Sequence, residues 1–119
     1  MHILLLDDQP SLLKPLRESF RSDSESVIIE KVFTAETALD RLRSQKYDWL
    51  VTDLIMEGMN GVDLVHTALK ESLIPPGRIL VVTSLSENTI LVRAIREHGI
   101  HILQKPVSAK QIREVIQLQ

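Results

Sequence analysis

The chain reads as a single α/β domain, a (βα)5 doubly wound arrangement in which a central five-stranded parallel sheet carries helices on both faces. Three observations predict this. Five short runs rich in Ile, Leu and Val lack polar alternation, as strands buried on both faces do. Segments of helical period lie between those runs, so strands and helices alternate along the chain. Four of the runs end on polar residues: Asp7 and Asp8 after HILLL, Asp53 after WLVT, Thr83 and Ser84 after RILVV, and Lys105 just beyond IHIL.

The first strand falls near Ile3–Leu6. Leu12, Leu13, Leu16 and Phe20 then make the stripe of a first helix. Pro15 is tolerable there if the helix begins near Ser11 or Leu12, because an early position has no intrahelical N–H bond to lose. The second strand is expected near Val27–Val32, followed by a helix whose stripe is Ala35, Ala38, Leu39 and Leu42. Trp49–Thr52 is the third strand. Val62, Leu64, Val65, Ala68 and Leu69 mark the third helix. Pro75, Pro76 and Gly77 form a connecting loop before the fourth strand, Ile79–Val82. The fourth helix carries Leu91, Ala94, Ile95 and His98 on its expected inner stripe. Ile90, Leu91 and Val92 cannot all face the core of one helix, so at least one of them is exposed and offers a partner contact. The fifth strand is His101–Leu103. Ile112, Val115 and Ile116 complete the last helix behind an N-cap at Ser108.

With 119 residues, 44% hydrophobic and 25% charged, the chain suits one domain over residues 1–119 with an ordinary core. A net charge of −2 argues against a sequence-independent grip on nucleic acid. The absence of cysteine excludes disulfides and thiolate metal sites. No run approaches the roughly 18 apolar residues of a membrane span, and the N-terminus lacks a basic segment of the signal-peptide kind. A cytoplasmic protein without membrane or direct nucleic-acid contacts is expected.

Parallel strands of one sheet share a C-terminal edge, so the polar sites converge on one pocket of three carboxylates, two hydroxyls and an ammonium. Carboxylates 4 Å apart at intermediate dielectric repel by about 4 kcal/mol per pair. A pocket that concentrates them makes sense if it binds a divalent cation and handles an anion beside it. Phosphate chemistry is the expectation.

ILLLDDQP, TDLIMEGMNG, VVTS and KPV, in that order and spacing, resemble the motifs of the receiver domain of two-component response regulators. The resemblance spans essentially the whole chain and implies a flavodoxin-like fold. It makes Asp53 the phosphoacceptor, taking a phosphoryl group from a sensor histidine kinase or a histidine phosphotransfer domain. Mg²⁺ is the implied cofactor, bound directly by Asp8, through water by Asp7, and by Asp53 and the backbone carbonyl of Ile55. Lys105 is the implied counter-charge, and the Thr83 hydroxyl the implied donor to the phosphoryl group. The resemblance also allows a cis Lys105–Pro106 bond. It leaves a dimer or output-domain contact through the fourth helix and fifth strand open.

Each of these residues has a plainer alternative. Asp53 could cap a turn and Asp7 or Asp8 a helix, Lys105 could be a surface lysine before a turn proline, and Thr83 could serve β propensity alone. Two rival functions stand beside the phosphoacceptor. One is a phosphorylation-independent interaction module of the same fold. The other is a small Mg²⁺-dependent phosphohydrolase with an aspartyl nucleophile, disfavoured because Ile55 stands where an acid–base partner would be needed.

The chain departs from the resembling pattern at three places. Glu57 replaces a usual proline, and Ile102 stands where Tyr or Phe is common, three residues before Lys105. The stretch from Gly99 to Lys105 is one residue shorter than in that pattern. A switch through helix-four and loop repacking, without an aromatic rotamer, is therefore expected. Ile55 and Leu85, both apolar, flank the pocket and orient no attacking water, which favours a long-lived acyl phosphate. His2, His66, His98 and His101 share no metal-ligand arrangement.

Overall fold

The computed structural model describes residues 1–7, 12–21, 26–54 and 61–117. Among them, strands and helices alternate as β1 His2–Leu6, α1 Leu13–Ser19, β2 Ile28–Val32, α2 Ala35–Ser44, β3 Trp49–Asp53, α3 Gly61–Lys70, β4 Ile79–Thr83, α4 Ile90–Glu97, β5 His101–Gln104 and α5 Ala109–Gln117, with a 3₁₀ turn at Pro76–Arg78. The predicted strands thus begin and end within a residue of the observed ones. All neighbours are parallel, in the order β2-β1-β3-β4-β5.

Strand alternation divides the interior into two cores. Leu4, Leu6, Leu50, Ile79 and Val81 point to one face, where Leu39 of α2, Leu64 of α3 and Val92 of α4 cover them. Ile3, Leu5, Trp49, Val51, Leu80 and Val82 point to the other, beneath Leu16 and Phe20 of α1 and Ile112 and Ile116 of α5. Burial on both faces holds for β1, β3 and β4, whose inward residues are nearly inaccessible. It fails for the edges: Ile28 of β2 is 57% exposed, and β5 is only half-buried. An edge strand has one neighbour, and the helices leave its outer flank open.

The helix starts and stops follow local chemistry. In α1, Pro15 is the third helical residue, within the first turn whose N–H groups lack intrahelical acceptors. Thr34 caps α2 by accepting the Thr37 N–H at 3.1 Å. At α5, Ser108 Oγ accepts the Gln111 N–H at 3.2 Å while Gln111 Oε1 accepts the Ser108 N–H at 2.8 Å. This reciprocal capping box confirms the expected N-cap. Helix α4 ends at Gly99, whose φ of +82° is the left-handed conformation that glycine adopts without a Cβ clash.

The inner stripe of α4 differs from the predicted one. Val92 and Ile95 are buried and Leu91 is half-buried, whereas Ala94 and His98 are exposed. Ile90, at 87% exposure, is the residue of its apolar triplet left outside. Thr89, which accepts the Val92 N–H at 3.3 Å, caps the helix in this phase. Helical periodicity tolerates both stripes; contact with the sheet and α3 selects Val92 and Ile95. No helix among the described residues is long and apolar enough to cross a membrane.

Candidate phosphoacceptor site

The strand order places β1 between β2 and β3, with helices leaving to opposite faces on either side. The C-terminal ends of β1 and β3 therefore open a crevice, the usual ligand position in a doubly wound sheet. Asp7 follows β1 directly and Asp53 is the last residue of β3; they are 5% and 8% exposed. Asp7, Asp53, Thr52 and Lys105 line one tight cleft of about 10 Å³ with Leu5, Leu6, Leu12, Val51 and Val82. Thr83, at the end of β4, is fully buried.

Both oxygens of the Asp53 carboxylate are engaged. Oδ1 accepts the Leu54 N–H at 2.7 Å, and Oδ2 accepts from Lys105 Nζ at 2.5 Å. The ion pair joins positions 52 residues apart in sequence. Its lysine is delivered by the sheet, because the Lys105 N–H donates to the Thr83 carbonyl at 2.8 Å and so continues the β4–β5 ladder. The bond from Lys105 to Pro106 is cis. The Thr83 hydroxyl accepts the Leu85 N–H at 3.1 Å.

Sequence reasoning passed over Gly61 as a positioning residue. Its N–H donates to the Leu54 carbonyl at 2.9 Å. A Cβ built on it would lie 1.8 Å from the Asp53 carbonyl oxygen and 2.8 Å from Leu54 Cα. Only glycine lets the first turn of α3 press against the backbone that carries Asp53. The final glycine of TDLIMEGMNG was the available signal, but a close approach between two backbones is invisible in a motif.

Of the expected site residues, the structure brings Asp7, Asp53 and Lys105 to one cleft and sets Thr83 beside Lys105 through the strand ladder. Asp8, Ile55 and Glu57 lie outside the described residues. Leu85, expected to flank the cleft, packs its half-buried side chain against the core shared by α2, α3 and α4. Ile102 packs against that same core, while the His101 ring lies 5.7 Å from the Trp49 ring on the opposite face. These two neighbouring β5 side chains thus point to opposite faces of the sheet.

The fit to Mg²⁺ rests on donor chemistry. Among the described residues no three His, Asp or Glu side chains form a metal cluster. Asp7 and Asp53 nevertheless supply two nearly buried carboxylates on one cleft, the hard oxygen donors that Mg²⁺ prefers, and Mg²⁺ fills its remaining positions with water.

Comparison with known proteins agrees with this geometry. Residues 3–117 match the family of the response regulator receiver domain. The chemotaxis protein CheY of Pseudomonas aeruginosa is 27% identical over 117 residues, covering 98% of this chain and 94% of that protein. The transcriptional regulatory protein GlrR of Escherichia coli is 31% identical over 119 residues, covering 97% of this chain. This chain spans only 25% of that regulator's length. Among solved structures, a Francisella response regulator receiver domain superposes with a TM-score of 0.79 at 21% identity, covering 98% of this chain and 93% of its own. The receiver domain of a Luxo repressor protein from Vibrio parahaemolyticus gives 0.82 at 18% identity, with coverages of 98% and 87%. Receiver domains of this family are phosphorylated by histidine kinases, use Mg²⁺ at their acidic pocket and are often attached to output domains. With its parallel five-stranded sheet, its acidic cleft at the switch point and a match over residues 3–117, the chain belongs to the receiver domain family of two-component response regulators.

Proposed function

We propose that this receiver domain takes a phosphoryl group onto Asp53 from the phosphohistidine of a sensor histidine kinase or a histidine phosphotransfer domain. The observation that carries the reading is the doubly held, nearly buried Asp53 carboxylate, with Leu54 N–H on one oxygen and Lys105 Nζ on the other. Leu54 fixes the plane of the carboxylate, and Oδ2 attacks phosphorus as Lys105 releases it. A P–O bond forms as the P–N bond breaks, and the imidazole nitrogen keeps the electron pair and takes up a proton. Lys105 then moves its charge from the carboxylate to a phosphoryl oxygen, where a compact ammonium acts as a point charge. Thr83 turns its hydroxyl from the Leu85 amide toward the phosphoryl group.

Asp7 and Asp53, with Asp8 and the Ile55 carbonyl, are the residues we assign to Mg²⁺. When bound, the ion neutralises charge on the transferring group. Glu57 stands close enough in sequence to add charge to that set. The α4–β5 face, with Ile90 exposed and β5 forming a sheet edge, is the surface we assign to a dimer partner or an output domain.

Incubation with acetyl phosphate and Mg²⁺ followed by intact-protein mass measurement tests the reading. One phosphate adduct, absent from Asp53→Asn and after chelation of the metal, is expected. An adduct that survives Asp53→Asn would place the acceptor elsewhere. Multiple-turnover release of phosphate would favour a hydrolase, and no adduct at all an interaction module.

A further inference from the structure

Helix α4 is tied to the acceptor cleft by a continuous set of hydrogen bonds that uses no aromatic side chain. It begins where β5 ends. The Lys105 N–H holds the Thr83 carbonyl at 2.8 Å, and the Thr83 hydroxyl accepts the Leu85 N–H at 3.1 Å. The Gln104 side chain, one residue before Lys105, then donates its Nε2 to the Leu85 carbonyl at 2.6 Å. The end of β5 therefore grips the start of the β4–α4 loop twice, by backbone at Thr83 and by side chain at Leu85.

The rest of that loop is internally bonded. The Thr89 N–H and hydroxyl both donate to the Ser86 carbonyl, at 3.1 and 2.9 Å, and the Asn88 N–H donates to Ser86 Oγ at 3.2 Å. Thr89 is also the cap of α4 and accepts the N–H of buried Val92. A displacement of Leu85 thus reaches the helix through one compact turn.

We propose that Gln104 is a positioning residue that couples occupancy of the acceptor cleft to α4, in the place left by Ile102, whose aliphatic side chain stays packed on the core. The proposal rests on Asp53 being the phosphoacceptor. When the Thr83 hydroxyl turns to a phosphoryl oxygen, Leu85 N–H loses its acceptor, and Gln104, bonded to the Leu85 carbonyl, becomes the remaining tie on that residue. Because Gln104 is joined by one peptide bond to Lys105, motion of the lysine toward the phosphoryl group pulls Leu85 with it. An equilibrium responds only to interactions that differ between its two states, and the Thr83–Leu85 bond is such an interaction.

The test compares wild type, Gln104→Leu and Gln104→Glu, neither variant having a side-chain donor at neutral pH. Phosphate adduct is measured by intact mass, and backbone amide shifts by NMR before and after phosphorylation. In wild type, the Thr83, Leu85, Thr89 and Val92 amides are expected to move. In both variants adduct formation should stay within about twofold of wild type, and the movement at Thr83 should persist. The phosphorylation-dependent changes at Thr89 and Val92 should fall by at least half. A merely structural role would displace both states equally and leave those differences intact, which would overturn the coupling while the acceptor assignment stands. Absence of an adduct in wild type would overturn both.

Discussion

Asp53 accepts two charge-stabilising contacts before any substrate arrives, and this makes the effects of single substitutions unequal. Lys105 places its ammonium on Oδ2, the proposed attacking oxygen, so Lys105→Ala should slow acquisition of phosphate from acetyl phosphate by about 100-fold, the usual scale for one lost electrostatic donor. A time course of the mass adduct measures it. Gly61 acts by what it lacks. A Cβ at this position would lie 1.8 Å from the Asp53 carbonyl oxygen, which leaves no room for a methyl group. Gly61→Ala should therefore destabilise the fold by about 1–3 kcal/mol, as overpacking does. It should also slow phosphorylation, because the backbone of Asp53, the proposed acceptor, has to move. A urea melt read beside the same time course checks both effects.

At the scale of elements, helix ends carry strain that can be relieved or created. Helix α3 closes on Ser72 at φ 53°, with the Leu73 N–H reaching back to the Ala68 carbonyl at 2.9 Å and the Ser72 N–H to that of Leu69 at 3.1 Å. This is a Schellman motif built on a residue with a Cβ. Ser72→Gly should raise stability by about 0.5–1 kcal/mol, the relief being partly offset by added freedom in the unfolded chain. Gly99→Ala, at the end of α4, should lower it by about 1 kcal/mol. Thermal or urea unfolding of the two variants tests the opposite signs. Nearby, Arg43 bonds Glu71 through Nε and Nη2 at 2.9 and 2.7 Å, and this hydrogen bond holds the Glu71 carboxyl below its ordinary range. The pair lies exposed at the surface and adds little to stability.

At the scale of the whole molecule, a parallel sheet separates two cores, and its two ends differ in purpose. The C-terminal end holds the acidic cleft, while the opposite end is closed by ordinary polar contacts. There Tyr47 donates to Glu30 Oε2 at 2.9 Å and sets its ring, tilted by 44°, 4.4 Å from that of His2. Burial, more than the neighbouring Glu30, pushes the Tyr47 phenol above its ordinary value. The folded state therefore binds this proton more tightly than the unfolded chain. Its contribution to stability is complete below the unfolded phenol pKa of about 10 and is lost as pH rises through the folded value. Tyr47→Phe should flatten the alkaline fall in unfolding free energy, measured by urea melts across that range. The sequence by itself determined the alternation of strands and helices, because buried parallel strands demand unbroken apolar runs and amphipathic helices a fixed period. It also located Asp7, Asp53, Thr83 and Lys105 at strand ends, since charged groups are kept out of the doubly buried interiors of β1, β3 and β4. Which stripe of α4 turns inward, and how little of Ile28 and β5 is covered, depended on neighbours that no local period encodes. The close backbone contact at Gly61 and the tie from Gln104 to Leu85 were likewise decided only by tertiary structure, because each joins atoms brought together by the order of strands in the sheet and the closure of the loops above it.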